Sequence, residues 1–248
     1  MTTTPETTTD ATTLPTVVLV HGAFADSSSW NDVVVRLQAQ GYPVIAAANP
    51  LRSLQGDADY VRDVVDSVKG PVVLAGHSYG GSVLSQAAAG HPRVQALVFV
   101  ASFLLDEGES TGDLAGKFPG NELGGALRPV PVRLADGRTA DDLFIEQDRF
   151  HPIFAADVPA DVARVMGVTQ RPIVADALAD KATAAAWKTI PSWTLVTLQD
   201  LAVPAEAQRF MAERAQSTAV EVDASHAVTV SRPDVVADLI DQAARATS

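Results

Sequence analysis

A serine set between glycines, Gly76-His77-Ser78-Tyr79-Gly80, directly follows the apolar run Val72–Ala75. G-x-S-x-G at the end of a strand and the opening of a helix is the pattern of a sharp strand-to-helix turn. Such a turn strains the serine backbone and crowds the two flanking positions, where only small residues fit. The hydroxyl then stands above the sheet at a helix N-terminus, where negative charge is favoured. Ser78 is therefore the expected nucleophile; the plainer alternative is a turn that merely needs small residues.

A serine hydroxyl needs a base at neutral pH. Of the five histidines, His21 sits in a strand-end turn before the serine, and His77 adjoins it and should point elsewhere. His91 lies beside Pro92 at the far end of the following helix, and His151 falls in a long interval between strands. Around a serine on such a turn, the partners follow in the order serine, acid, histidine. His226, just beyond the run Val220–Val222, is the expected base. The acid should end a strand between the two. Asp200 follows Trp193–Leu198 and precedes Pro204, which opens a helix. It would hold the imidazole in one tautomer and stabilise its charged form. Asp106 and Glu107 compete for that part, whereas Asp223 reads as a solvated turn residue.

The run His21-Gly22-Ala23-Phe24 ends the first apolar segment. A tetrahedral intermediate needs backbone N–H donors about 3 Å from its oxyanion, and Ala23 and Tyr79 are the expected pair. Phe24, Phe103, Phe150, Phe154 and Met166 are candidate pocket walls. Trp30, at helical spacing with Val33, Val34 and Leu37, reads as core.

These residues need a frame to hold them. Short, continuously apolar runs recur at Val17–Val20, Val44–Ala47, Val72–Ala75, Ala96–Val100, Thr194–Thr197 and Val220–Val222. They suit strands of a parallel sheet buried on both faces. Between them lie helical stripes: Trp30 to Leu37 stopped by Gly41, Tyr60 to Val68 stopped by Gly70, and a helix from Tyr79 to Gly90. Pro204 opens another, and Ser231-Arg232-Pro233-Asp234 reads as the cap and first turn of the last. The alternation predicts an α/β fold with a doubly wound, mostly parallel sheet. Residues 16–101 and 191–248 form its expected core. Residues 102–190 break the rhythm and are expected to form a largely helical cap over the strand ends, where ligands bind in such sheets. Glycines punctuate its first part, which should be mobile, and 140–187 should be helical. Residues 1–15, rich in threonine, are expected to be a disordered tail.

The composition prunes partners and compartments. With 30 acidic against 18 basic residues, the formal charge of −12 disfavours nucleic acid and anionic lipid. The absence of cysteine excludes disulfides, thiolate zinc sites and a cysteine nucleophile. No apolar run reaches the ~18 residues of a membrane span, and the first residues lack the regions of a secretory signal. A cytoplasmic protein acting on small molecules without metal or cofactor is expected.

With the serine turn, HGAF, the acid and the last histidine in order, the chain resembles the α/β-hydrolase superfamily over about residues 16–247, much of the cap excepted. HGAF and GHSYGG make it similar to the group of small serine carboxylesterases, plant methyl esterases and hydroxynitrile lyases. The resemblance implies ester hydrolysis through an acyl-enzyme, with Ser78, His226 and Asp200 as the catalytic set. Dehalogenases and epoxide hydrolases of this fold carry Asp where Ser78 stands. The similar hydroxynitrile lyases carry Lys after the catalytic histidine and Thr in the His-Gly turn, where this chain has Ala227 and Gly22. Thioester, lactone and C–C bond cleavage use the same set of residues, peracid formation is a conceivable side activity, and a non-catalytic ligand receptor is the alternative from another class.

Overall fold

The structure is a computed structural model that describes residues 14–247. The expectation of a disordered tail over 1–15 falls almost wholly outside the described residues. Among the described residues there are nine strands: β1 (Thr16–Val20), β2 (Val44–Ala47), β3 (Val72–His77), β4 (Val94–Val100), β5 (Leu127–Arg133), β6 (Thr139–Ile145), β7 (Ile173–Val174), β8 (Ser192–Thr197) and β9 (Thr218–Val222). The helices are α1 (Asn31–Ala39), α2 (Leu54–Asp66), α3 (Tyr79–Ala87), α4 (Thr111–Ala115), α5 (Gln147–Phe154), α6 (Ala160–Thr169), α7 (Ala175–Ala179), α8 (Ala205–Arg214), α9 (Val228–Ser231) and α10 (Pro233–Ala246).

Six strands form one parallel sheet in the order β2-β1-β3-β4-β8-β9. Alternate side chains of each strand face opposite layers. Val17, Leu19, Val73, Ala75 and Val98 pack with Trp30 and Leu37 of the α1 side and with Val236 and Ile240 of α10. Val18, Val20, Leu74, Leu97 and Phe99 pack against α2, α3 and the inserted segment. Trp30 is fully buried, as its helical spacing suggested. Pro233 does begin α10, but Ser231 does not cap it: the residue ends α9, and its Oγ is buried without a partner among the described residues.

Between β4 and β8 the chain leaves the sheet. This insert carries α4 to α7, and also a three-stranded antiparallel sheet, β5-β6-β7. Residues 139–145 are thus a strand rather than the start of a helical stretch. Pro129 and Pro131 suit β5 because it lies at the sheet edge, where a missing N–H breaks no ladder. Gly137, at φ +87°, completes the Asp136-Gly137 turn into β6. Bonds to the core hold the insert over the carboxyl ends of the strands. Phe24 N–H donates to Arg171 O (3.0 Å), Ala227 N–H to Phe154 O (2.9 Å) and Glu122 N–H to Leu201 O (2.8 Å).

Candidate active site

The local sequence explains why Ser78 stands where it does. It links β3 directly to α3 at φ +54° and ψ −127°, a conformation costing roughly 1–3 kcal/mol for a residue with a side chain. Its N–H donates to Val100 O (3.2 Å), and its carbonyl accepts from Ser102 Oγ (2.6 Å) and Gly81 N–H (2.9 Å). The flanking glycines permit the turn. A Cβ on Gly80 would lie 2.3 Å from Val20 O, and one on Gly76 would lie 2.7 Å from the Gly80 backbone. Gly22 passes equally close, since a Cβ there would meet Ser78 Cβ at 2.7 Å.

Asp200 and His226 come from the loops after β8 and β9. His226 Nδ1 donates to Asp200 Oδ2 at 2.7 Å, and both residues are buried. Four further donors converge on that carboxylate: the N–H groups of Ala202 (2.8 Å) and Val203 (2.7 Å), Thr197 Oγ1 (2.8 Å) and Gln208 Nε2 (3.2 Å). The carboxylate is locked in place. His226 Nε2 is buried with no hydrogen-bond partner among the described residues. No bond joins it to Ser78 Oγ, a looseness common before substrate tightens such contacts.

The N–H groups of Ala23 and Tyr79 make no hydrogen bond among the described residues, whereas Phe24 N–H is engaged by Arg171 O. Ala23, Tyr79 and Ser78 border one cavity of about 200 Å³. Phe24 and Phe103 line it as expected; Thr111, Leu123, Leu127, Leu178 and Val203 complete much of its wall. Its polar neighbours are already occupied. Thr111 Oγ1 pairs with Ser82 Oγ (3.0 Å), and the Asn121 amide bonds to Ala115 O and Leu123 N–H. Tyr79 turns its hydroxyl away, donating to Asp57 Oδ2 (2.9 Å) on α2.

Three expected wall residues lie elsewhere. Phe150 is fully buried against Phe154, with ring centroids 4.9 Å apart. Phe154 meets the His226 ring edge-on at 4.8 Å instead of lining the cavity. Met166 borders a second cleft of about 180 Å³ that also touches Phe24. All three sit on insert helices whose inward faces serve packing, so apolar type alone did not separate wall from core. The competing acids are also separate from His226. Asp106 pairs with Lys188 at 2.5 Å, which holds its carboxyl below the usual range, and Glu107 lies 3.7 Å from the same lysine; Asp223 is exposed, as a turn residue should be.

The other histidines are placed too. His91 contacts Asp66 (3.1 Å) and His151 contacts Val158 O (3.0 Å). His21 turns its ring back to its neighbour's carbonyl, Gly22 O (2.9 Å), and burial pushes its imidazole down to about 4. His77 is likewise buried and held well below the ordinary histidine value, first by burial and then by the charge of His226. Gln208 had no signal in the sequence beyond its place on a helix after the acid. Among the described residues no cluster of three or more His, Asp or Glu could hold a metal ion, and no helix is long and apolar enough to cross a membrane.

The serine turn, the buried Asp–His pair and the parallel sheet coincide with a match to the model of the alpha/beta hydrolase family over residues 17–239. The chain belongs to this family. A protein named as an alpha/beta hydrolase, nvfD of Aspergillus novofumigatus, is 28% identical over 93% of this chain and 96% of its own length. A pyrethroid hydrolase of Sphingobium wenxiniae is 27% identical over 92% of this chain and 87% of its own. Among solved structures, polyneuridine aldehyde esterase superposes with a TM-score of 0.80 at 19% identity, covering 92% of this chain and 98% of that one. A pyrethroid hydrolase from Sphingobium faniae gives 0.76 at 23%, covering 94% and 98%.

Proposed function

We propose that this protein hydrolyses carboxylic esters with small to medium apolar groups, through an acyl-enzyme formed on Ser78. The observation that carries the reading is the buried Asp200–His226 pair. Its imidazole keeps one buried nitrogen without a partner among the described residues, and Ser78, strained at the strand-to-helix turn, borders an apolar cavity. Ester hydrolysis also fits the full-length relatives, which are named as hydrolases and esterases.

In this reading His226 Nε2 takes the Ser78 proton as Oγ attacks the ester carbonyl. Asp200 holds the Nδ1–H and offsets the charge that develops on the ring. The free N–H groups of Ala23 and Tyr79, the latter at the first turn of α3, receive the oxyanion. His226 then returns the proton to the departing alcohol, activates water, and the acyl-enzyme is cleaved. With no unpaired charge on its wall, the cavity takes a neutral group. At about 200 Å³ the cavity suits a small to medium group. The insert acts as a cap that supplies more than half of that wall.

The test is hydrolysis of p-nitrophenyl acetate, butyrate and octanoate by the wild type and by Ser78→Ala. Acetate and butyrate should turn over, octanoate should be slower, and Ser78→Ala should abolish all three. Undiminished turnover in Ser78→Ala, or none in the wild type across ester, thioester and lactone panels, would overturn the reading.

A further inference from the structure

His77 is the residue before Ser78, yet its side chain faces the opposite partner. Its Nε2 lies 2.8 Å from the backbone carbonyl of His226, across 149 residues of sequence. A carbonyl only accepts, so Nε2 carries the proton and donates. The other nitrogen, Nδ1, is buried with no partner among the described residues. A second proton there would find no acceptor, and the ring centroid stands only 4.7 Å from that of His226. His77 therefore stays neutral, as one fixed tautomer, with His226 and His21 as its ionisable neighbours.

The geometry points to His77 as a positioning residue: its Nε2–H, by holding the His226 carbonyl, sets the base relative to the nucleophile next to it in the chain. This rests on the serine-esterase reading given above. The remaining ties of the His226 loop run elsewhere. Ala227 N–H goes to Phe154 O at 2.9 Å, Ser225 Oγ donates to Asp157, and Gln199 N–H reaches Ala224 O at 3.1 Å. Those bonds fix the loop to the insert and to the β8 loop. Among the described residues, only the His77 bond ties it to the strand that leads into Ser78. The imidazole itself is held by Asp200 at Nδ1 and bordered by Phe154 and His77 on its sides. Rotation of the His226 backbone would swing Nε2 away from Oγ, and misplacement by about 1 Å can cost on the order of 10²-fold in rate.

The arrangement makes a specific demand on side-chain chemistry. Glutamine places its amide NH2 near where His77 Nε2 stands; asparagine places it near Nδ1, too short to reach the carbonyl. Rescue by one and not the other separates donation from simple space filling. The experiment measures the rate of covalent labelling by a fluorophosphonate in wild type, His77→Gln, His77→Asn and Ser78→Ala. In that reaction Ser78 Oγ bonds to phosphorus, the P–F bond breaks, fluoride leaves, and the serine proton passes to His226. Labelling reads the Ser78–His226 pair without needing the right ester. Steady-state hydrolysis of p-nitrophenyl butyrate and thermal melts are recorded alongside.

His77→Asn should label 10- to 100-fold more slowly, with a matching fall in kcat and KM changed less than twofold. His77→Gln should stay within about threefold of wild type in both. Equal rates for Gln and Asn, at either level, would overturn the positioning role while leaving Ser78 as nucleophile. Slow labelling that tracks the loss of melting temperature in both variants would assign His77 to folding alone and overturn it too. Failure of the wild type to label at all would remove the serine reading and this inference with it.

Discussion

Replacing Gly80 by alanine tests whether the close approach of α3 to β1 is what sets the candidate oxyanion donors. The added Cβ would stand 2.3 Å from Val20 O and 3.1 Å from His21 O. Both are backbone atoms of the segment leading into Ala23, so neither can swing aside as a side-chain end would. Restoring an ordinary contact of about 3.4 Å requires the helix and the strand to part by roughly 1 Å. Overpacking of this kind costs typically 1–3 kcal/mol, or about 2–12 °C in melting temperature for a domain of this size. The same movement separates Tyr79 N–H from Ala23 N–H. Misaligning one oxyanion donor is worth ~10²–10³ in kcat. The assay is kcat and KM for p-nitrophenyl butyrate well below both melting temperatures, with thermal melts in parallel. Gly125→Ala is the control, since its Cβ meets nothing within 4 Å and the residue is outside the cavity wall. Expected is a fall in kcat of two to three orders of magnitude, with a modest drop in melting temperature. Full activity with an unchanged melt would refute the claim that this contact sets the donors.

Ser78→Ala and His226→Ala should each lower kcat by ~10⁴-fold or more, and the double variant should lose little beyond either, because the two act as a unit. A multiplicative loss would count against the shared role. Asp200→Asn should impair turnover strongly while Asp106→Asn, whose partner is Lys188, leaves it near wild type; the reverse pattern would reassign the acid. Gln208→Leu leaves Thr197 N–H without its acceptor and Thr197 Oγ1 and Val203 O without their donor, and removes one of the three donors to Asp200 Oδ2. It should destabilise by ~1–3 kcal/mol or more and slow turnover several-fold, read from melts and kcat together. His21 has a folded-state value of about 4 against an unfolded value of 6.5, so the unfolded chain binds the extra proton first as pH falls. Stability is then complete above about pH 6.5 and declines toward pH 4, by about 3 kcal/mol from this group, with buried His77 adding in the same direction. Urea melts of wild type and His21→Gln at pH 7.5 and 4.5 check this, and an equal pH dependence in both would contradict it.

The parts legible in the sequence are those written in short-range steric rules. Gly76 and Gly80 announce a turn that no larger residue fits, and the six apolar runs are the six strands of the parallel sheet. Chain order and strand ends were enough to choose Asp200 and His226 from several carboxylates and histidines, and the fold brings those two into contact. What stayed hidden depends on tertiary neighbours. His77 seemed idle because its partner is 149 residues away. Gln208 looked like any polar helix residue, although its amide braces both Thr197 and Asp200. The β5–β6 hairpin was missed because its prolines argue against a strand until the edge position is known. Phe150, Phe154 and Met166 could not be told from cavity residues, since packing and lining call for the same apolar types.

The bonds from Arg171 O to Phe24 N–H and from Phe154 O to Ala227 N–H have an evolutionary consequence. Both run from the insert to backbone beside the proposed oxyanion donor and base, one residue beyond Ala23 and one beyond His226. Loop insertions are usually the freely exchanged part of a scaffold. Here a transplanted insert of different shape would reset the alignment of donor and base along with the cavity. Descendants with new substrates are thus expected to diverge first along the stretch 111–127. It lines the cavity through Thr111, Ala115 and Leu123 without gripping either of those two backbone positions.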